Sequence, residues 1–422
     1  MSLLLKNGTY IDIKNLKFYS TDILVDEKTE RIQLSINNPF TQEQIENVQI
    51  EDCTGKYIMH SFADGFLRPG LSFSFVNKNY EISQPTYFKY VSNILWNIDS
   101  QLDKDLLYAS SLYAAMMSAK NGTTFAICRN ETSKYIEGSL STIEEAFKQV
   151  GVSTLLSFSA SEANGYATAE KIIAENQNYL TNHQGLMGIA ASYLASDDLF
   201  ETISNICKEN NKGIIINTAE DNIDQTNTMR DHHKSAITRI FDSGLMDYNS
   251  TILLNANYLN DEERCFIKNK PAWIVQNPYG NLERGIIPFN SIWLGNKIMI
   301  GSDFTQQSIS QCMRMAYMLS LNTDNKISDI EAFNRMNAVH NYINDNNFIG
   351  DKENNLIVFS NNTPIELNSE NFIKHIAYNF NDRDINLVIS DGKIIVKDNK
   401  TTLIDEKEVM KICSEQCKRI KS

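Results

Sequence analysis

Brief apolar runs alternate with longer amphipathic stretches between about Tyr57 and about Asn347. Parallel strands joined by helices produce that alternation. Eight runs stand out, at 56–59, 123–127, 153–158, 186–190, 213–217, 251–255, 272–276 and 297–301. Intervening segments such as 142–150 and 199–207 have helical periodicity, and a glycine or asparagine follows each, as helix ends prefer. Eight strand–helix units are the count of a TIM-type (β/α)8 barrel. No glycine-rich phosphate loop follows any run, which favours the barrel over an open doubly wound sheet.

The two ends of the chain are patterned differently. Short alternating segments at 3–5, 9–13, 31–36 and 47–50 read as strands, and the Asn7-Gly8 pair reads as a hairpin turn. The far end repeats the style at 356–359, 386–389 and 393–397, with Asp391-Gly392 as a turn. An isolated hairpin is marginal in water, so the two ends are expected to pair into one small β-sandwich. The expected organisation is α/β: a composite terminal domain from 1–56 and 350–422, and a barrel over 57–349.

Composition narrows the partners. Apolar residues at 42% and charged residues at 22% are ordinary for a folded protein. A net charge of -13 with scattered lysines and arginines repels phosphate backbones, so nucleic acid is not an expected partner. No run approaches a membrane span, and the start does not read as a signal peptide, so a cytoplasmic location is expected. The seven cysteines are dispersed without a C-x-x-C pair and are expected to be reduced. Cys413 and Cys417 share a helix face but have no nearby His to complete a soft-metal site.

In such barrels the working residues follow the carboxyl ends of the strands. Those ends carry Arg68, Arg129, Glu131, Asn217, Glu220, Asn255, Gln276 and Asp303, and none carries a histidine. A catalytic zinc site needs about three ligands, usually histidines with a carboxylate. The six histidines (His60, His183, His232, His233, His340 and His375) read as surface or satisfied core residues. Glu220 and Asp303 can move protons or orient water, and Arg68 or Arg129 can hold an anion or pair with these acids.

Several of these segments in this order resemble the amidohydrolase superfamily, in its cytosolic aminohydrolase branch of guanine deaminase and chlorohydrolase-like enzymes. The carriers are the segments 52–59, 121–124 and 137–140, Asn217-Thr218-Ala219-Glu220, Gln276-Asn277-Pro278, Gly301-Ser302-Asp303 and the closing segment 390–396. The resemblance implies the barrel, the terminal β-sandwich, a zinc or iron cofactor and often a homodimer. It also implies roles for single positions. The family's His-x-His ligands fall on Phe66 and Arg68, and its later ligand histidines fall on Asn217 and Asn255. Its substrate-contacting histidine falls on Ala190, and the histidine before Asn-Pro falls on Gln276. Its proton-shuttling glutamate and its metal-binding aspartate are retained as Glu220 and Asp303.

The expectation is an aminohydrolase-like protein without its histidine ligands and with no metal cofactor. It is expected to bind a small polar heterocycle or to associate with an active relative. The alternative is an active hydrolase of C–N bonds in a purine, cyclic amide or guanidinium compound, using Glu220 and Asp303. A third expectation is a structural component whose barrel mouth is filled by Phe66 and Tyr258.

Overall fold

The architecture follows from where alternate side chains go. The computed structural model describes residues 2–36, 39–76, 86–304 and 307–421. The terminal strands are β1 (Leu3–Asp12), β2 (Lys17–Asp26), β3 (Arg31–Leu34), β4 (Gln49–Asp52) and β5 (Lys56–His60). The barrel strands are β6 (Phe62–Leu67), β7 (Thr123–Asn130), β8 (Ser153–Ala160), β9 (Gly185–Ala191), β10 (Ile214–Thr218), β11 (Ile252–Asn255), β12 (Trp273–Gln276) and β13 (Ile298–Ile300). The chain returns to the terminal sheet with β14 (Leu356–Ser360), β15 (Ile385–Ser390), β16 (Lys393–Lys397) and β17 (Lys400–Thr401).

The terminal strands form one mixed sheet in the order β17-β16-β15-β14-β5-β1-β2-β3, with β4 also paired to β1. Along β5 and β14, Ile58, Leu356 and Val358 enter a core internal to the sheet. Their neighbours Tyr57, Met59, Ile357 and Phe359 pack into the large core shared with the barrel helices. Both faces of these central strands are therefore buried. Period-two alternation here separates two cores rather than core from solvent.

Two sequence expectations change. The run 56–59, expected as the first barrel strand, is β5, which pairs with β1 and β14 in the terminal sheet. The first barrel strand is β6, whose sequence Phe-Ala-Asp-Gly-Phe-Leu hides a wholly buried strand behind an aspartate and a glycine. Asn7-Gly8 is not a hairpin turn but a bulge inside a continuous β1, with Asn7 at φ 60°. The Asn7 amide donates to Asp22 Oδ1 at 2.8 Å, so the local turn chemistry is satisfied across the sheet. Asp391-Gly392 is the expected two-residue turn, with φ of 52° and 74°.

The eight barrel strands run parallel in chain order from β6 to β13. Inward side chains such as Phe125, Leu155, Ile215, Ile252, Leu254, Val275 and Met299 fill the interior, so it is a packed core and not a channel. Ala338, Val339, Tyr342 and Ile343, from the helix Asp329–Asp345, join this interior core. The Tyr342 hydroxyl donates to the Ser250 carbonyl at 2.9 Å, just before β11 begins. This helix thus covers the amino-terminal end of the barrel. Helices with apolar inner faces wrap the outside; Ser139–Val150, for example, ends at Gly151 in the left-handed conformation. No helix among the described residues is long and apolar enough to cross a membrane.

The seam between β6 and β13 is closed by polar chemistry. Leu67 and Asp303 form a parallel bridge, with the Arg68 amide donating to the Asp303 carbonyl and the Asp303 amide to the Phe66 carbonyl, each at 2.9 Å. Below it, buried Asp64 accepts from the Ser302 amide at 3.0 Å and from the Ser302 hydroxyl. Gly65 lets the two strands approach. A Cβ there would stand 2.7 Å from the Ile300 backbone oxygen. Gly65→Ala is expected to lower stability by about 1–3 kcal/mol, the usual cost of overpacking, measured by urea denaturation.

Candidate functional site at the barrel mouth

Carboxyl ends of the barrel strands converge on a cavity of about 130 Å³. Its floor and one wall come from Arg68, Glu131, Ser159, Ala190, Asn217 and Glu220. The opposite wall is a helical segment that presents Tyr87, Val91, Leu95 and Asp99 at four-residue spacing, with Trp96 beside them. This segment runs Tyr87–Tyr90 as α-helix, Val91–Leu95 as π-helix and Trp96–Asp99 as α-helix. The wider turn of a π-helix re-aims side chains and recurs at functional sites. Because the cavity exists, the mouth is not filled as the structural reading required.

Under the cavity lies a network of three guanidinium groups and three carboxylates. Arg68 donates to Asp303 through Nε to Oδ1 at 2.7 Å and through Nη2 to Oδ2 at 3.1 Å. Arg284 Nη1 reaches Asp303 Oδ2 at 2.8 Å, and its Nη2 lies 2.8 Å from Glu220 Oε1. The Tyr87 hydroxyl donates to the other Glu220 oxygen at 2.7 Å. Glu131 pairs with Arg129 and, at 3.4 Å, with Arg68. Arg129 stacks its guanidinium 5.0 Å above the Phe66 ring, and Arg68 sits 4.8 Å over Phe304.

Burial alone would raise the Asp303 carboxyl, but the charges of Arg68 and Arg284 outweigh it and hold the group at about 2. Burial disfavours the Arg68 and Arg284 cations in turn. The surrounding carboxylates, led by Asp303 for Arg68 and by Glu220 for Arg284, more than offset it and raise both. Asp99 has no such cation in contact, and burial, followed by the charge of Glu131, pushes it up to about 8. The cavity therefore meets a carboxyl with a raised value on one wall and the Arg68 cation on the floor.

The structure brings Arg68, Ala190, Asn217 and Glu220 to the cavity. Asp303 lies directly beneath, with Phe66 and Asn255 also buried. Asn255 bridges to Asn217 at 3.1 Å and accepts from Asn277 at 2.9 Å, so the amides form a chain across three strand ends. Gln276 is not brought in; its Oε1 accepts from Arg335 of the helix Asp329–Asp345 at 3.1 Å. Arg284, Tyr87 and Asp99 were not singled out from the sequence. Each sits on a short irregular element, and no periodic signal marks it.

Backbone at the strand ends is strained. Ala219, Asn255, Ala256 and Asp303 all have φ between 48° and 72°. Two of these are alanines, which lack the side-chain polarity that eases the left-handed conformation, at a cost of order 1–3 kcal/mol each. Such outliers concentrate where geometry serves a site.

The sequence matches the family described as "Amidohydrolase family" over residues 82–395. The chain belongs to the amidohydrolase family. It is 24% identical over 352 residues to a 5'-deoxyadenosine deaminase of Methanococcus vannielii, covering 78% of this chain and 81% of the relative. It is 22% identical to a 5-methylthioadenosine/S-adenosylhomocysteine deaminase of Thermoanaerobacter pseudethanolicus, over 97% of each chain. In fold it is similar to E. coli guanine deaminase, with a TM-score of 0.74 at 16% identity over 94% of this chain and 99% of that one. This amidohydrolase thus shares the barrel and terminal sheet of known aminohydrolases.

Removing one member of a buried, paired charge set leaves its partners uncompensated. Arg284→Ala is expected to cost about 3–5 kcal/mol by urea denaturation, because Glu220 and Asp303 both lose a cation. Asp99 gives a pH signature. Its folded value of about 8 lies above the ~3.9 of an unfolded aspartate, so its stabilising contribution is full below that lower value and is lost as pH rises toward the higher one. Thermal melts of Asp99→Asn at pH 5 and pH 8 should therefore differ less from each other than those of the unaltered protein.

Proposed function

We propose that this amidohydrolase-family protein binds a small polar heterocycle at the barrel mouth, without a metal ion there. The single observation that carries the reading is that arginine side chains already hold both oxygens of Asp303. A divalent ion needs free lone pairs from imidazole, thiolate or carboxylate. Here Asp303 is clamped by Arg68 and Arg284, Glu220 is held by Arg284 and Tyr87, and the Asn217 and Asn255 amide oxygens accept from neighbouring amides. The donor set does not fit a divalent cation, and two guanidinium groups would repel one. The cationic role at the mouth falls to arginine.

The cavity suits a flat, polar ring. Tyr87, Trp96 and Tyr193 offer aromatic surface, while Asp99, Glu131, Glu220, Ser159 and Asn217 offer donors and acceptors. Its volume of about 130 Å³ is below the ~300–1,000 Å³ of drug-sized sites, which points to a base or a similarly compact ring. Glu131 and Glu220 are the acids of the network that line the cavity directly, so they are the groups to recognise an N–H edge.

A second reading is C–N hydrolysis of such a ring, and the deaminase names of the relatives support it. In that reading Glu220 takes a proton from water and returns it to the leaving nitrogen. One experiment separates the two. Purified protein is titrated calorimetrically with adenine, guanine, 5'-deoxyadenosine and cyclic amides, and ammonia release is followed in parallel. The binding reading expects saturable binding, weakened at least about tenfold by Glu220→Gln, with no ammonia. Catalytic ammonia release abolished by Glu220→Gln would replace it with the hydrolytic reading, and absence of both binding and turnover would sink both.

A further inference from the structure

A second constellation lies at the opposite end of the barrel. His60 closes β5 in the terminal sheet, His340 stands on the helix that covers the barrel base, and Asp351 lies in the connection from that helix to β14. Ligating atoms of the three lie within 4.8 Å of one another. Among the described residues this is the one group of three or more His, Cys, Asp or Glu side chains so disposed. We propose that His60, His340 and Asp351 form a binding site for a divalent transition ion of the zinc class, joining the terminal sheet to the barrel.

The geometry is close to what such an ion requires. Tetrahedral zinc with bonds of about 2.0–2.1 Å places its donors roughly 3.4 Å apart. His60 Nε2 lies 3.7 Å from Asp351 Oδ1, and His340 Nδ1 lies 2.7 Å from Asp351 Oδ2. The two rings are 4.4 Å apart between centroids and inclined at 70°, so they face the carboxylate from different directions. Two imidazoles and a carboxylate are the ligand set of a site that completes its shell with water.

A second observation is independent of this spacing. The Asp351 side chain is only 1% exposed, yet its Oδ1 has no hydrogen-bond partner. Burying an unsatisfied carboxylate oxygen is costly, and an ion between the two histidines would satisfy it. The site is also reachable. It borders a groove of about 1110 Å³ whose rim carries Asp12, Lys14 and Glu353.

The simpler alternative is a hydrogen-bonded latch. His340 donates from Nδ1 to Asp351, and His60 donates from Nε2 to the Lys352 carbonyl at 2.9 Å. Metal entry would replace those bonds. Each ring keeps a second nitrogen to carry its proton, so ligation requires a change of tautomer and no net loss of a proton. An ion here would add a clamp at the face of the barrel that serves stability rather than chemistry.

The test uses the full chain, stripped with a chelator and dialysed, then titrated with zinc chloride by calorimetry and with cobalt chloride by visible absorption. The expected result is one equivalent per chain, a four-coordinate cobalt spectrum and a raised Tm. His60→Gln and His340→Gln retain hydrogen-bonding capacity and should bind at least about tenfold more weakly. If a histidine variant does not fold, Asp351→Asn carries the same comparison. Glu220→Gln, at the mouth, should bind zinc as the unaltered chain does. The proposal is overturned by no stoichiometric binding to the stripped chain, by binding that survives the three base variants, or by binding lost in Glu220→Gln. A metal assay of the unaltered protein alone would not locate the ion, whereas these variants distinguish the base from the mouth.

Discussion

Everything at the barrel mouth depends on one buried carboxylate held between two guanidinium groups. Asp303 is wholly inaccessible, and Arg68 and Arg284 occupy both of its oxygens. Taking such charges out of water costs several kcal/mol per ion, and only mutual pairing with well-directed hydrogen bonds offsets it. The same residue is the seam: its backbone bonds to Phe66 and Arg68 draw the last barrel strand against the first. Closing the barrel and neutralising its mouth are thus one structural event.

The pairing also decides what the mouth can offer a ligand. Three guanidinium groups pair with three carboxylates, so the floor is polar without a large excess of either charge, while Arg129 Nε and Nη1 and Arg284 Nε keep no hydrogen-bond partner among the described residues. Glu220 stands at the edge of this network, tied to Arg284 and Tyr87 but facing the cavity. Above it, the Asp99 carboxyl has burial against it and no cation in contact, which keeps it protonated at neutral pH. Membership of the amidohydrolase family accounts for the scaffold, and the relatives' deaminase names describe the chemistry that the same scaffold performs elsewhere.

Seven of the eight barrel strands could be read from the chain because a buried parallel strand leaves a short apolar run. The missed strand, β6, carries Asp64 and Gly65 for the seam, so the features that close the barrel are those that disguise the strand. The run read in its place, β5, is apolar because both of its faces are buried between two cores. At the site, Arg68, Asn217, Glu220 and Asp303 could be placed at strand ends from spacing and resemblance. Gln276 could be placed at a strand end too, but its side chain turns toward Arg335.

What the sequence by itself determined is the alternation that makes a barrel, the strand-rich ends that make the terminal sheet, and the absence of histidine from the carboxyl ends of the barrel strands. These are local properties, set by period and by residue identity. Tertiary structure alone decided which charges meet. Arg68 and Asp303 are 235 positions apart, and Arg284 enters from a short irregular segment after β12. His60, His340 and Asp351 come from a strand, a helix and a connection. Contacts of this kind depend on the direction of each side chain once the layers have packed, and no periodicity along the chain encodes that direction.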